Sequence, residues 1–297
     1  MGPPSSSFTS LGFSSLSEVD FLSVSFIFEI CYIAVNMSND QKVTKSGVQS
    51  RVAAHQLLMA VLKQNKTLDM AMDELAPISP QDRSLAYRLA KTCLRYKLAF
   101  DVTLKNYLQK PLHASRLDIS CCFYIGMAQI LLLDTPPHAA VNTTVQVAKN
   151  SFPKMAGLVN AVLKKIDKDK GEIQLSAQAA TPKWLWNEWI KAYGEAATQA
   201  IAEMHLHEPP LDVTWSQPLE QSETMPIGTI RLPKGVGFSE LEGRGWAQDM
   251  AASLPVKLLG DISGKRVLDA CAAPGGKTMQ LASAGANVTA VDISKNR

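Results

Sequence analysis

Apolar positions recur at helical spacing from about residue 46 to residue 168. Val48, Val52, Met59 and Leu62 fall on one face of a first helix, Leu85, Leu89 and Cys93 on the face of a later one, and Leu158, Val162 and Ile166 on that of the last. The breaks carry turn chemistry at Pro77, Pro80, Lys110-Pro111, Pro136-Pro137 and Pro153. The spacing predicts an all-α bundle of six or seven helices. A mixed pattern follows: a helix over Pro182 to Met204 bearing Trp184, Trp186 and Trp189, closed by Pro209-Pro210, and then two short period-two runs. These are Leu211, Val213 and Trp215, and Ile227, Thr229 and Arg231. The tryptophan spacing favours an apolar stripe buried against a neighbouring domain over a base-stacking surface.

In the last stretch, Asp249 is placed to cap a helix over Met250 to Leu259, which Pro255 should kink. Val267 and Leu268 then lead to Asp269, a Pro-Gly-Gly turn opens a helical pattern from Thr278 to Ala284, and Asn287 to Ile293 reads as a second strand. The order is strand, glycine-rich loop, helix, strand. The resulting division is an extension over 1–40, a helical domain over 41–170, an α/β connecting subdomain over 171–235 and an α/β segment over 236–297.

Composition changes the picture in three places. With 46% hydrophobic and 19% charged residues, the 297-residue chain has the balance of a globular protein of two or three domains. Its five cysteines, Cys31, Cys93, Cys121, Cys122 and Cys271, show neither CxxC spacing nor a histidine cluster, so neither a disulfide framework nor a metal site is expected and a reducing cytoplasm fits. Residues 1 to 36 hold no Lys or Arg, and their apolar run from Phe21 to Val35 is broken by Glu29. That run suits neither a signal peptide nor a membrane span, so an accessory, poorly ordered extension before Met37 is expected. Charge is uneven: residues 41–170 hold 19 Lys or Arg against 9 Asp or Glu, whereas residues 171–297 hold 11 against 14. The excess of +10 in the helical domain suits a phosphate backbone, with Arg83, Arg88, Lys91, Arg95 and Lys97 as the candidate cluster, although a merely solvated face would show the same counts.

The loop after Asp269 is the candidate ligand site, because glycine admits close backbone approach and a helix N-terminus presents N–H groups. A phosphate-binding loop needs G-x-x-x-x-G-K-[ST]; Gly276-Lys277-Thr278 fits its end, but Cys271 holds the first glycine position and Pro274 removes an N–H. A dinucleotide fingerprint fails, since only the pair Gly275-Gly276 is present. A nucleoside with an amino-acid tail remains, with Asp292 at the end of the next strand as acceptor for ribose hydroxyls.

Asp269-Ala-Cys-Ala-Ala-Pro-Gly-Gly-Lys-Thr278 resembles the S-adenosyl-L-methionine loop of the bacterial ribosomal RNA 5-methylcytosine methyltransferases that carry a NusB-like helical domain in front. Three further stretches resemble that NusB-like domain: Arg83 to Ala90, Leu133 to Asn142 and Ala156 to Leu163. Gly245-Trp-Ala-Gln-Asp249 is similar to the entry of the methyltransferase domain. The fold implied is an all-α NusB-like bundle, a small α/β linker and the N-terminal part of a Rossmann-like α/β methyltransferase domain. By the same resemblance, Cys271, Ala272, Ala273, Pro274, Gly275, Gly276 and Lys277 wrap the cofactor and Asp292 holds its ribose.

Carbon 5 of cytosine accepts a methyl group only after a thiolate has added to the adjacent ring carbon, and a base must then remove the carbon 5 proton. The resemblance implies two cysteines for this work, one in a Pro-Cys context, and both fall beyond residue 297; the chain contains no Pro-Cys dipeptide. The expectation is therefore a monomeric, cytoplasmic, RNA-binding member of a cytosine-5 methyltransferase family, truncated at its C-terminus, inactive by itself and a poor binder of the cofactor. A non-catalytic NusB-type RNA-binding module with a relic cofactor loop is the alternative. Neither a membrane nor a metal is expected as a partner.

Overall fold

The computed structural model describes residues 47–215, 223–225, 228–232 and 245–293; the expectations for residues 1–40 and for Ile227 lie outside them. By its contacts the chain divides into two compact units, one ending at Leu206 and one beginning at His207. The helices of the expected connecting segment thus pack with the first unit, and its strands with the second.

The first unit is helical: α1 (47–64), α2 (Leu68–Asp73), α3 (Pro80–Lys105), α4 (Leu117–Leu131), α5 (Pro137–Ser151), α6 (Ala156–Lys168), α7 (Ala177–Ala180) and α8 (Lys183–Leu206). Its starts follow local chemistry. Thr67, Ser79 and Ser176 cap α2, α3 and α7 with their hydroxyls, and proline occupies the first turns of α3 and α5. Helix α4 lies at the centre: every residue from Cys121 to Ile130 is buried, and α3, α5 and α6 pack around it. A helix apolar on all sides is stable only when enclosed, which sets the arrangement of its neighbours. On α1 the deepest side chains are Ala53, Ala54, Leu57 and Leu58, so its core face is rotated from the expected stripe, whose members Val48, Val52, Met59 and Leu62 are half-buried. On α6, Val159, Val162, Leu163 and Ile166 point inward while Leu158 is exposed. In both helices the adjacent pair of apolar residues, not the single stripe, marks the buried side.

One polar group is sealed inside this core. The Arg51 guanidinium donates through Nε and Nη2 to Gln129 Oε1, at 2.8 and 2.6 Å, and burial pushes its pKa below the ordinary value. Gln129 in turn donates to the Ile125 carbonyl and to the Thr144 hydroxyl, both at 3.1 Å, so the amide is satisfied on both sides. Cys121 and Cys122 are buried, and desolvation raises each thiol to about 12; burial also pushes the Cys93 thiol well up, so these three act as packing groups.

Helix α8 departs from the expected single tryptophan helix. Gly194 has φ 80 and ψ 170, outside the helical region. In one straight helix Trp189 and His205 would stand roughly 24 Å apart; their ring centroids are 5.3 Å apart. The segment therefore doubles back at Gly194, where a side chain at positive φ would be strained. Trp186 is buried with Ala177 and Ala202, Trp189 packs beside them half-buried, and Trp184 is 68% exposed, so the expected stripe is buried only in part, and within its own unit.

The second unit holds a four-stranded antiparallel sheet in the order β2 (Glu223–Thr224), β3 (Ile230–Arg231), β1 (Asp212–Trp215), β4 (Gly245–Ala247), and a parallel pair, β5 (Arg266–Asp269) with β6 (Asn287–Ala290). Register pairs Asp212 with Arg231 and Val213 with Ile230. One face thus carries a two-pronged ion pair, Arg231 Nε and Nη2 to the Asp212 carboxylate at 2.8 and 3.1 Å, and the other buries Val213 with Ile230 and Leu232. Ile230 is the core residue of β3, one position out of phase with the expected Thr229 and Arg231 alternation, because Arg231 is drawn to Asp212. Helix α9 (Met250–Leu258) continues through Pro255 and ends three residues later, and α10 (Gly276–Ser283) joins β5 to β6. Val256, Ile262 and Leu281 form the core beneath them, with Val267 and Val288 packed against it.

Gly126 on α4 meets α6 closely: a Cβ there would lie 2.5 Å from Leu163 Cδ2. Gly→Ala inside a helix ordinarily stabilises by about 1 kcal/mol. Here overpacking reverses the sign, and Gly126→Ala is expected to destabilise the first unit by about 1–3 kcal/mol in urea unfolding. A pH effect is also expected. His55 Nε2 lies 2.8 Å from the Asp118 carbonyl oxygen, and burial holds its pKa below the ordinary 6.5. In the unfolded chain it takes up a proton near 6.5, in the folded chain only at lower pH, so stability should fall as pH drops below about 6.5. Thermal unfolding of His55→Gln should show a shallower acid limb than the parent.

Candidate functional site

The β5–α10 loop is built on Asp269, the last residue of β5, whose side chain is buried. Asp269 Oδ2 accepts the Thr278 hydroxyl at 2.7 Å from the first turn of α10, and Oδ1 accepts the Cys271 N–H at 3.3 Å. The carboxylate therefore pins both ends of the loop. Between them the backbone closes on the following strand: Val291 N–H donates to the Asp269 carbonyl at 2.8 Å, Ala272 N–H to the Val291 carbonyl at 3.0 Å, and Gly275 N–H to the Ala272 carbonyl at 2.6 Å. The Ala273–Pro274 peptide is cis, and Gly275, at φ 110, forms the cap of α10. A residue with a Cβ would be strained at that φ.

Asp292 reaches the same loop. Its Oδ2 accepts the Ala273 N–H at 2.8 Å, across the register that pairs Asp269 with Ala290. Cys271, Pro274 and Asp292 are exposed, and Ala272, Ala273, Gly275, Gly276 and Lys277 are half-buried. The structure thus gathers all eight residues singled out in the sequence at one rim. Asp292 contributes a carboxylate to this rim, and the first-turn N–H groups of α10 have no intrahelical acceptor. Among the described residues, no group of three metal-ligating side chains occurs, and no helix is long and apolar enough to cross a membrane.

The supports of the site are mostly residues that sequence reasoning passed over. Gln248 follows β4; its Oε1 accepts the Thr214 hydroxyl at 2.7 Å and the Trp246 indole N–H at 2.9 Å, and its Nε2 donates to Gln280 Oε1 at 2.9 Å. Gln280 Nε2 donates onward to the Ser253 carbonyl at 3.0 Å. The antiparallel sheet, α9 and α10 are thereby joined through two buried amides, and a Cβ added at Gly276 would stand 3.6 Å from the Gln248 side chain. The resemblance at Gln248-Asp249 was the one available signal for this; Gln280 carried none. Asp249 caps α9 as expected, accepting from the N–H groups of Ala251 and Ala252 at 2.9 and 3.4 Å.

With this geometry in place, comparison with known proteins places the chain. Residues 48–168 match the NusB family. The chain is 30% identical over 276 residues to ribosomal RNA small subunit methyltransferase B of Xanthomonas campestris pv. campestris, covering 85% of this chain and 63% of that protein. It is 30% identical over 280 residues to the protein of the same name from Pseudomonas putida, covering 83% and 64%. The chain is a NusB-domain relative of the methyltransferase B proteins. It spans somewhat under two thirds of the length of these relatives. Its fold also resembles a solved structure described as the crystal structure of PH0851, at a TM-score of 0.56 and 15% identity over 85% of this chain and 64% of that one.

Thr278→Val would leave the buried Asp269 carboxylate without one of its two donors. The expected cost is about 1–3 kcal/mol in the second unit, and hydrogen exchange at the Cys271 amide should rise. Among the described cysteines only Cys271 is exposed. Iodoacetamide applied to the folded chain should therefore modify Cys271 and spare Cys93, Cys121 and Cys122, a pattern that peptide mass mapping reads directly.

Proposed function

We propose that these residues are the RNA-binding and cofactor-binding parts of an S-adenosyl-L-methionine-dependent methyltransferase acting on carbon 5 of cytosine in ribosomal RNA. The supporting observation is the convergence of the Asp269 loop and Asp292 on one rim, in a chain related over most of its length to ribosomal RNA small subunit methyltransferase B proteins. In this reading 41–170 is the NusB-like RNA-binding domain, 171–235 the connection and 236–297 the opening part of a Rossmann-like methyltransferase domain, with 1–40 an accessory extension. The protein works as a cytoplasmic monomer and needs no metal.

The roles follow from the site. The cofactor, when bound, supplies an electrophilic methyl group. Cys271 to Lys277 enclose its methionine part, Gly275 allowing close approach, and Asp292 accepts from the ribose hydroxyls. The positive sulfonium needs no phosphate cradle, which agrees with a loop that spends the N–H groups of Cys271, Ala272, Ala273 and Gly275 on its own closure. Cys271 sits in the cofactor loop, so it is not the thiolate that adds to the cytosine ring. Among the 297 residues no Pro-Cys dipeptide offers one.

Leu268 on β5 is 63% exposed, and Val291, just after β6, is 51% exposed. A parallel sheet is ordinarily covered on both faces. Cofactor affinity of residues 1–297 alone is therefore expected to be weak, and methyl transfer to unmodified ribosomal RNA absent. Alkylation of Cys271 tests the site without relying on turnover. Millimolar S-adenosyl-L-methionine should slow it, and Asp292→Ala should remove that protection. No protection at any cofactor concentration would overturn the site, micromolar affinity by calorimetry would overturn the expected weakness, and methyl transfer above background would show that a cysteine present here serves as nucleophile.

A further inference from the structure

On α3, positions 84, 88, 91 and 95 are spaced four, three and four residues apart and so lie on one stripe. They are Ser84, Arg88, Lys91 and Arg95, with Arg88 exposed and Lys91 and Arg95 half-buried. From Ser84 to Arg95 the stripe is about 16 Å long. Arg88 lines a shallow recess with Pro80 and Ser84 at one end. At the other end, Lys91 and Arg95 form the rim of a cavity of about 430 Å³ lying between α3 and the doubled-back α8. Its floor is apolar, with Leu94, Ala202 and Leu206, and its wall is Trp189, against whose ring His205 stands edge-on at 70°. Two cationic side chains, Lys91 and Arg95, and no carboxylate are found among the described residues that line it.

An apolar floor, an indole wall and a cationic rim ask for a ligand that is planar and aromatic at one end and anionic at the other. A lipid headgroup or an acidic peptide would satisfy the rim and leave the indole without a stacking partner. A nucleotide satisfies both, and the line of cations leading away from the rim continues the match along a phosphate backbone. Base-paired RNA keeps its bases stacked inside the helix, so the occupant must be an unpaired one.

We propose that the cavity between α3 and α8 takes a single unstacked base of an RNA strand, stacked on Trp189, while Arg88, Lys91 and Arg95 hold the adjoining phosphates. This rests on the reading of the chain as RNA-binding and deepens it. It assigns the RNA contact to a composite of the NusB-like bundle and the segment that follows residue 168. Lys91 also lies over the Tyr87 ring, 5.0 Å from its centroid, which steadies the ammonium at the rim.

The test uses the full chain and a fluorescein-labelled, unstructured 12-nucleotide RNA, with the matching duplex as comparison, read by fluorescence anisotropy at low and moderate salt. Single-stranded RNA should bind more tightly than the duplex, with affinity falling as salt rises. Trp189→Ala should weaken single-strand binding about tenfold, Trp189→Phe should restore most of it, and Trp184→Ala, on the exposed part of α8, should change nothing. Replacing Arg88, Lys91 and Arg95 together by Gln should flatten the salt dependence. A second readout avoids variants altogether: 5-iodouridine in the same RNA should photocrosslink to the peptide carrying Trp189. Binding that is indifferent to Trp189→Ala, or crosslinks that map elsewhere, would overturn the pocket and leave the RNA-binding reading standing. Absence of any RNA binding would remove that reading as well, and binding of a polyglutamate peptide in place of RNA would assign the cavity to an acidic protein partner and overturn the proposal.

Discussion

Helix α4 has no polar face, and the first unit is arranged to keep water from it. Burying Ile119 and the run from Cys121 to Ile130 requires neighbours on every side, and α3, α5 and α6 supply them. Each fully buried aliphatic or aromatic side chain is worth about 1.5–3 kcal/mol, so this enclosure is a major stabilising contribution in the unit. The close approach at Gly126 follows from the same demand, because α6 must bring Leu163 against the α4 backbone. So does the treatment of Arg51. Its charge is admitted to the core because its donors are met by Gln129, the Gly47 carbonyl and the Ser50 hydroxyl, with the Asp82 carboxylate favouring the charged form.

Where enclosure is local and periodic, it could be read along the chain. The helical extent of residues 46 to 168, the proline breaks, the cap at Asp249 and the strand–loop–helix order around Gly275 all depend on neighbours a few positions apart. Core faces were harder to place, because α1 and α6 each present pairs of apolar residues, and only packing against α4 selects between overlapping stripes. The reversal at Gly194 was not legible either: a lone glycine in a helical run signals weakness in the helix, not the direction the chain takes afterwards. Contacts distant in sequence decided that. The phase of β3 was likewise set from outside, by the pull of Asp212 on Arg231.

The candidate site divides along the same line. Its eight residues were gathered from one loop and the strand after it, so resemblance in a short stretch was enough to find them. Their supports come from residues 214, 246, 248, 253, 269, 278 and 280, spread over two sheets and two helices. Glutamine and threonine at such positions look like ordinary surface residues until their partners are known. Asp269 sits inside the recognised stretch, yet nothing in the pattern separated its bracing role from that of a ligand contact.

The two buried amides at Gln248 and Gln280 form a chain with a sense of direction. Hydrogen passes from the Thr214 hydroxyl and the Trp246 indole to the Gln248 oxygen, from the Gln248 nitrogen to the Gln280 oxygen, and from the Gln280 nitrogen to the Ser253 carbonyl. Every link has donor and acceptor in the same sense, so turning over either amide sets oxygen against oxygen at one end and nitrogen against nitrogen at the other. A carboxylate of equal length in either place would abolish a donation that no neighbour can replace. The energetic cost of a substitution at 248 is thereby tied to the residue at 280, although the two are 32 residues apart and belong to different layers of the unit.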